Sequence, residues 1–230
     1  MLLTRPVPSG TIGRILRDHE DVLWFASDSG LYRYDGIVWS SLDEEDGLPS
    51  LMVRTVTQDR AGNYWVGTDK GLSRYRLTRQ KPSAPELTVK TDLEYRGSAQ
   101  VPAIAAGQLV GFRFNAVEFK TQPVRRFYRC AVVPGRAEAP PARRDPAWRE
   151  PTLATQYDWN PNAPGDYTFF VQFIDRDLNY SEPARAFLKI VTPWYANAWI
   201  TVPASGGILG LVGWAFVARS LYLRKRREAE

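Results

Sequence analysis

Two stretches of the chain repeat each other at a spacing of 41 residues. Asp18, Trp24, Asp28, Gly30, Leu31, Arg33 and Tyr34 recur in order as Asp59, Trp65, Asp69, Gly71, Leu72, Arg74 and Tyr75. A period near 40 is that of a four-stranded propeller blade, which buries its apolar faces only against neighbouring blades. The local chemistry agrees. Ile12–Leu16 and Val53–Val56 read as first strands. Asp59-Arg-Ala-Gly62-Asn63 is a hairpin turn whose Gly and Asn accept positive φ, and Glu20-Asp21 is a poorer version of it. Second strands follow at Trp24 and Trp65, third strands end at Tyr34 and Tyr75, and Ile37–Trp39 reads as a fourth. The Trp and Tyr side chains suit a blade core better than a ligand-stacking role.

The pattern D-x-x-G-N-x-W-x-G-T-x-x-G-L-x-R-Y, carried by Asp59, Gly62, Asn63, Trp65, Gly67, Thr68, Gly71, Leu72, Arg74 and Tyr75, resembles the two-component regulator propeller repeat. The first copy keeps Trp24, Gly30, Leu31, Arg33 and Tyr34 but has Ala26-Ser27 for Gly-Thr. Two blades cannot close a ring, so a longer parent with further blades is expected.

Pro82 and Pro85 mark residues 81–86 as a linker. From 87 to 192 short strands alternate with turns: Leu87–Leu93, Leu109–Asn115, Phe127–Val133, Gln156–Trp159, Tyr167–Ile174 and Ala184–Val191. Phe112/Phe114 and Val171/Phe173 show period-two spacing, and no helical pattern intervenes. This predicts a β-sandwich of the immunoglobulin or fibronectin sort. Ala137–Asp145 reads as a polar, Pro-rich loop. The segment resembles the three-Y domain that follows such propellers in sensors. Phe127-Tyr128-Arg129, Trp148, Tyr157, Pro164-Gly165-Asp166-Tyr167 and Asp175-Arg-Asp177-Leu-Asn-Tyr180 carry the resemblance. Tyr128, Tyr157 and Tyr167 are expected to pack a ring and bond a hydroxyl.

No Asp, Glu, Lys or Arg occurs over the 29 residues from Ile190 to Ala218. Its apolar core, Trp199–Ala218, is 20 residues, which at ~1.5 Å per residue reaches roughly 30 Å, the hydrocarbon thickness of a bilayer. Trp194, Tyr195, Trp199 and Tyr222 are placed as interfacial anchors. The twelve residues after the run contain five basic ones, Arg219, Arg224, Lys225, Arg226 and Arg227. Basic flanks stay cytoplasmic, so the chain N-terminal to the span is expected outside, in a cell's inner membrane. Met1–Arg14 contains no signal-peptide h-region, which also favours a longer parent. Gly206 and Gly210 form a G-x-x-x-G pair, either a dimer contact between spans or a tolerated small-residue stretch.

The tail carries +3 of the net +5, leaving the rest close to neutral, which argues against a nucleic-acid reader. One Cys and one His exclude a disulfide framework and Cys- or His-based metal sites. Asp175 and Asp177 could share a strand face, but no pocket signal supports acid–base or Ca²⁺ work. Asp43-Glu-Glu-Asp46 lacks calcium-loop spacing and reads as a solvated interblade loop. His19 reads as an exposed turn residue. No catalytic constellation and no cofactor is expected, and no ligand residue is assigned.

The expected chain is therefore all-β, with two propeller-type blades, a β-sandwich and one transmembrane helix. The blades occupy 1–80 (repeats 11–50 and 52–80), the sandwich 87–192, the helix 197–222 and the cytoplasmic tail 223–230. The resemblance implies the sensor portion of a signalling receptor, itself not an enzyme. It is expected to act as a homodimer that takes a carbohydrate or other small external ligand and passes its state to a histidine kinase or, alternatively, a diguanylate cyclase or other output. A membrane-anchored external enzyme and a structural scaffold are the competing readings.

Overall fold

The structure is a computed structural model and describes residues 8, 10–97, 101–193 and 210–219. Four antiparallel strands, β1 (Ile12–Arg17), β2 (Leu23–Ser27), β3 (Gly30–Tyr34) and β4 (Trp39–Leu42), form the first sheet in sequential order. A second sheet holds β5 (Val53–Gln58), β6 (Tyr64–Thr68) and β7 (Gly71–Tyr75). The fourth strand of the first sheet begins two residues later than expected. Asp35 and Gly36 (φ 90°) turn the chain, and the Asp35 carboxylate accepts the Ile37 and Val38 N–H groups at 2.9 and 2.8 Å, holding them out of the ladder.

The two sheets share one core of Trp24, Leu31, Leu42, Leu48, Val53, Val56, Tyr64 and Val66. Trp24 is fully buried and stacks on Tyr64 with ring centroids 4.2 Å apart. Their two polar atoms converge on Asp18, which accepts the Trp24 indole N–H at 2.8 Å and the Tyr64 hydroxyl at 2.6 Å. In the second repeat Asp59 accepts the Trp65 indole N–H at 3.0 Å. The six-residue Asp-to-Trp spacing thus gives a Trp on the blade an acceptor for its one donor.

The same loop opens both repeats and reappears in the sandwich. At Asp18, Asp59 and Asp175 the backbone N–H donates to the carbonyl four residues on, and the N–H three residues on donates back. The residue at that third position is left-handed: Asp21 (φ 65°), Gly62 (φ 83°) and Leu178 (φ 62°). Only the middle loop has the residue that tolerates this without cost. A Cβ at Gly62 would meet no atom within 4 Å, so Gly62→Ala tests backbone strain alone and is expected to cost about 1 kcal/mol. Asp21→Gly at an exposed site is expected to shift thermal stability the other way by a smaller amount.

Asp59 accepts from the Asn63 side chain, the Trp65 indole and the Asn63 backbone, and these bonds hold its carboxyl down at about 2. A carboxyl lowered on folding contributes stability that is complete above the unfolded value near 4 and disappears as pH falls through about 2. The stability gap between wild type and Asp59→Asn, read by thermal melts, should therefore be open at neutral pH and close at pH 2.

The remaining strands make two four-stranded sheets. One is ordered β10 (Ile104–Ala105), β15 (Ala184–Val191), β14 (Gly165–Ile174), β12 (Phe127–Pro134). The other is ordered β13 (Gln156–Trp159), β11 (Val110–Asn115), β8 (Glu86–Lys90), β9 (Glu94–Arg96). The expected single strand Leu87–Leu93 is a hairpin, because the Thr91 N–H turns back to the Leu93 carbonyl. The two-residue parallel strand β10 leaves no pattern to read. Between the sheets Phe112 and Phe169 stack at 3.8 Å, within a core that includes Leu87, Val110, Phe114, Val171, Phe173 and Leu188.

From Thr168 to Ile174, β14 is buried on both faces. Phe169, Val171 and Phe173 face the second sheet. On the other face, Ala131 of the neighbouring β12 bridges to Trp148, and Ile174 meets Val38 of the first blade and Leu178. The polar, Pro-rich loop before Trp148 covers this face: Arg129 donates to the Arg143 carbonyl at 2.6 Å and stacks on Trp148 at 4.2 Å. The linker is also packed, with Pro82 and Pro85 buried.

Residues 210–219 are helical. No helix among the described residues is long and apolar enough to cross a membrane. The expected span over 197–222 lies mostly outside the described residues.

Candidate functional site: the joint between blade and sandwich

The densest polar cluster ties the blades to the sandwich, and its centre is the turn after β14. Asp175 builds that turn. One carboxylate oxygen accepts the N–H groups of Asp177 and Asn179, both at 2.8 Å, and the other accepts the Asn179 side-chain amide at 2.9 Å. With Leu178 left-handed, the turn presents Arg176 and Asp177 to the blades.

Arg33 receives them. Its side chain is 1% exposed and lies between the rings of Trp24 (4.9 Å) and Tyr75 (5.6 Å). Its Nη2 donates to the Arg176 carbonyl and lies 3.5 Å from the Asp177 carboxylate. Ser40 Oγ donates to the same carbonyl at 2.7 Å. The Tyr75 hydroxyl donates to Asp177. Burial pushes that hydroxyl well above its usual range, with Asp177 adding to the effect and Arg33 opposing it, so Tyr75 is always a donor here.

Two further contacts lie on either side. Arg125 pairs with Asp43 and with Asp46 at 2.7 Å, and Arg176 pairs with Asp46 at 2.8 Å. The acidic 43–46 segment is thus a docking point for two arginines and not a solvated interblade loop. On the other side Asp35 accepts from Arg143 at 2.7 Å and from the Tyr180 hydroxyl at 2.8 Å. Burial, reinforced by Asp35, raises the Tyr180 hydroxyl in the same way. A cavity of about 730 Å³ lies alongside, walled by Trp24, Arg33, Leu77, Arg129, Arg143 and Tyr180.

This joint holds blade and sandwich together. Asp35, Asp43, Asp46, Asp175 and Asp177 are each engaged by arginine, tyrosine or backbone donors, so none is placed as a base. The side-by-side use of Asp175 and Asp177 considered above fails for that reason. Asp175 shapes the turn and Asp177 anchors the blades. Among the described residues no group of three or more His, Cys, Asp or Glu is arranged to hold a metal ion.

The residues singled out from sequence are distributed as follows. Trp24 and Tyr75 reach the joint. Trp65 bonds Asp59, and Tyr34 stacks on Trp39 at 4.7 Å. Gly30 (φ 131°) and Gly71 (φ 147°) open the third strands. Tyr128 is buried and its hydroxyl accepts the Ala116 N–H at 3.1 Å. Tyr157 accepts from Arg149 at 3.0 Å, and Tyr167 donates to the Ala163 carbonyl at 3.2 Å. The three tyrosines are therefore apart and hold the sandwich separately. Gly210 begins the 210–219 helix, and Gly206 lies outside the described residues. Sequence reading missed Asp35, Asp46, Arg125, Arg143 and Arg176 as a group. No sequence signal marked them: Arg33 and Arg74 share one repeat position, and only the structure shows Arg33 buried under the sandwich turn and Arg74 exposed.

The class defined so far is a mostly β chain, paired blade-like sheets docked on a β-sandwich, with a helix at residues 210–219. Comparison with known proteins adds one family match: residues 47–70 match the two component regulator propeller. A search of curated proteins finds no match. Among solved structures, the extracellular domain described as that of a hybrid two component system, BT3049 of B. thetaiotaomicron, is similar at TM-score 0.47 and 16% identity, covering 81% of this chain and 27% of that one. The extracellular domain of the one component system BT4673 from the same organism gives 0.34 and 14%, covering 80% and 30%. The PKD domain of the human VPS10 domain-containing receptor SorCS2 gives 0.30 and 15%, covering 55% and 89%. The chain thus spans less than a third of the two B. thetaiotaomicron structures.

Proposed function

We propose that this chain is the external sensing and membrane-crossing portion of a signal-transduction receptor. The blades and the three-Y sandwich lie outside the cytoplasm, Trp199–Ala218 crosses, and the tail leads to a cytoplasmic output, a histidine kinase in the first instance. The observation that carries this is one chain holding a two component regulator propeller repeat and, after its last strand, a charge-free run closed by a basic cluster. In this reading the chain does no chemistry. A small external ligand, a carbohydrate fragment for example, binds one arrangement of a homodimer better and shifts its population. The joint at Arg33 and Asp177 makes the blades and sandwich move together, so the shift reaches the spans.

The test uses the full chain in membranes. It should resist alkaline carbonate extraction, and Gly206→Cys or Gly210→Cys should form disulfide-linked dimers while Val212→Cys does not. Extraction into the soluble fraction would refute the span. Equal cross-linking at all three positions would refute the glycine-faced dimer.

A further inference from the structure

We propose that the end of the sandwich where the chain leaves it rests on the lipid surface, with Leu93 and Leu109 set into the boundary between headgroups and acyl chains. The proposal rests on the reading of Trp199–Ala218 as a span. It goes beyond that reading by assigning a lipid contact to the folded domain itself.

The argument is one of position. β8, β12, β13 and β15 all run towards the same end of the sandwich, and β15 stops there at Val191. The Val191 carbonyl accepts the Ala106 N–H at 2.8 Å, which fastens the β10–β11 loop to the point of exit. Three residues on, Leu109 is 59% exposed. Gln108 in the same loop donates to Asp92 at 3.2 Å, which ties in the β8–β9 turn. That turn carries Leu93, 66% exposed. Two large apolar side chains thus stand uncovered on linked loops beside the exit. Only seven residues lie between Val191 and Trp199, eight steps of chain that reach at most about 28 Å even fully extended. The run from Ile190 carries no charge, so nothing in it requires a deep water layer between domain and bilayer. Apolar tips held this close to a membrane are positioned to enter its interface. Exposure alone would not argue this. Phe119 is 96% exposed, but it sits on the β11–β12 connection at the blade end and serves as the control.

The test uses the full chain in phosphatidylcholine vesicles, with the environment-sensitive dye nitrobenzoxadiazole on Leu93→Cys, Leu109→Cys, Phe119→Cys or Val212→Cys. The native Cys130 is buried and its thiol is pushed up to about 11, so the introduced thiols react selectively. With spin-labelled lipid bearing its nitroxide near the acyl carbonyl, dye at 93 and 109 should lose about half its emission, and dye at 119 should lose none. A label deep in the acyl chains should quench dye at 212. If 93 and 109 behave like 119 while 212 is quenched, the lipid contact is wrong and the span stands. If 212 is unquenched, the span reading is wrong and the contact goes with it.

Discussion

Arg33→Ala should destabilise the detergent-solubilised chain by about 3–5 kcal/mol, the cost of removing one partner from a buried ion pair. The carboxylate left behind, Asp177, has a side chain only 4% exposed and would keep the Tyr75 hydroxyl and the Thr78 N–H as donors but lose its ion-pair partner at 3.5 Å, leaving the longer-range field of Arg176. The guanidinium also fills the space between Trp24 and Tyr75. Arg33→Met with Asp177→Asn removes both charges while keeping most of the volume, and should recover a large part of the loss. Thermal melts of the two singles and the double complete the cycle. If Arg33→Ala costs less than about 1 kcal/mol, the joint is a surface contact and not the link described.

Phe169→Ala should cost about 3–5 kcal/mol, since a fully buried aromatic is lost from the centre of the sandwich. Its ring stacks on Phe112 at 3.8 Å and lies 6.0 Å from Tyr157, so the cavity opens between two sheets that cannot both collapse onto it. The informative readout is where the effect spreads. If blade and sandwich are one cooperative unit, hydrogen exchange should rise in β2 of the blade as well as in β14. Exchange confined to β14 and its neighbours would mean the sandwich opens without the blade.

The repeat made the blades legible because a blade spends its strongest residues on internal needs: a Trp needs an acceptor, the positive-φ opening of the third strand needs Gly (Gly30, Gly71), and both recur with the unit. The sandwich strands were legible where alternation was strict, as at Phe112 and Phe114. At β14 the strand itself was legible, through Val171 and Phe173, but the cover on its other face was not, because a run buried on both sides carries no mark of what packs there. The joint was not legible. Its members are charged residues scattered from Arg33 to Tyr180, each ordinary in its own segment, and only the docking of two domains brings them together. Asp43–Asp46 shows the limit well. Four acidic residues in a row look solvated until Arg125 and Arg176 arrive from about 80 and 130 positions away.

The central claim is that the folded part lies outside the cytoplasm and is held there by one helix. The direct test places a secretory signal peptide before Met1 and an epitope tag after Glu230 in a Gram-negative host. Spheroplasts are then treated with protease. The account predicts that the tag stays with the membrane, protected, while the blades and sandwich are open to attack. Release of the whole tagged chain into the periplasmic fraction would contradict it.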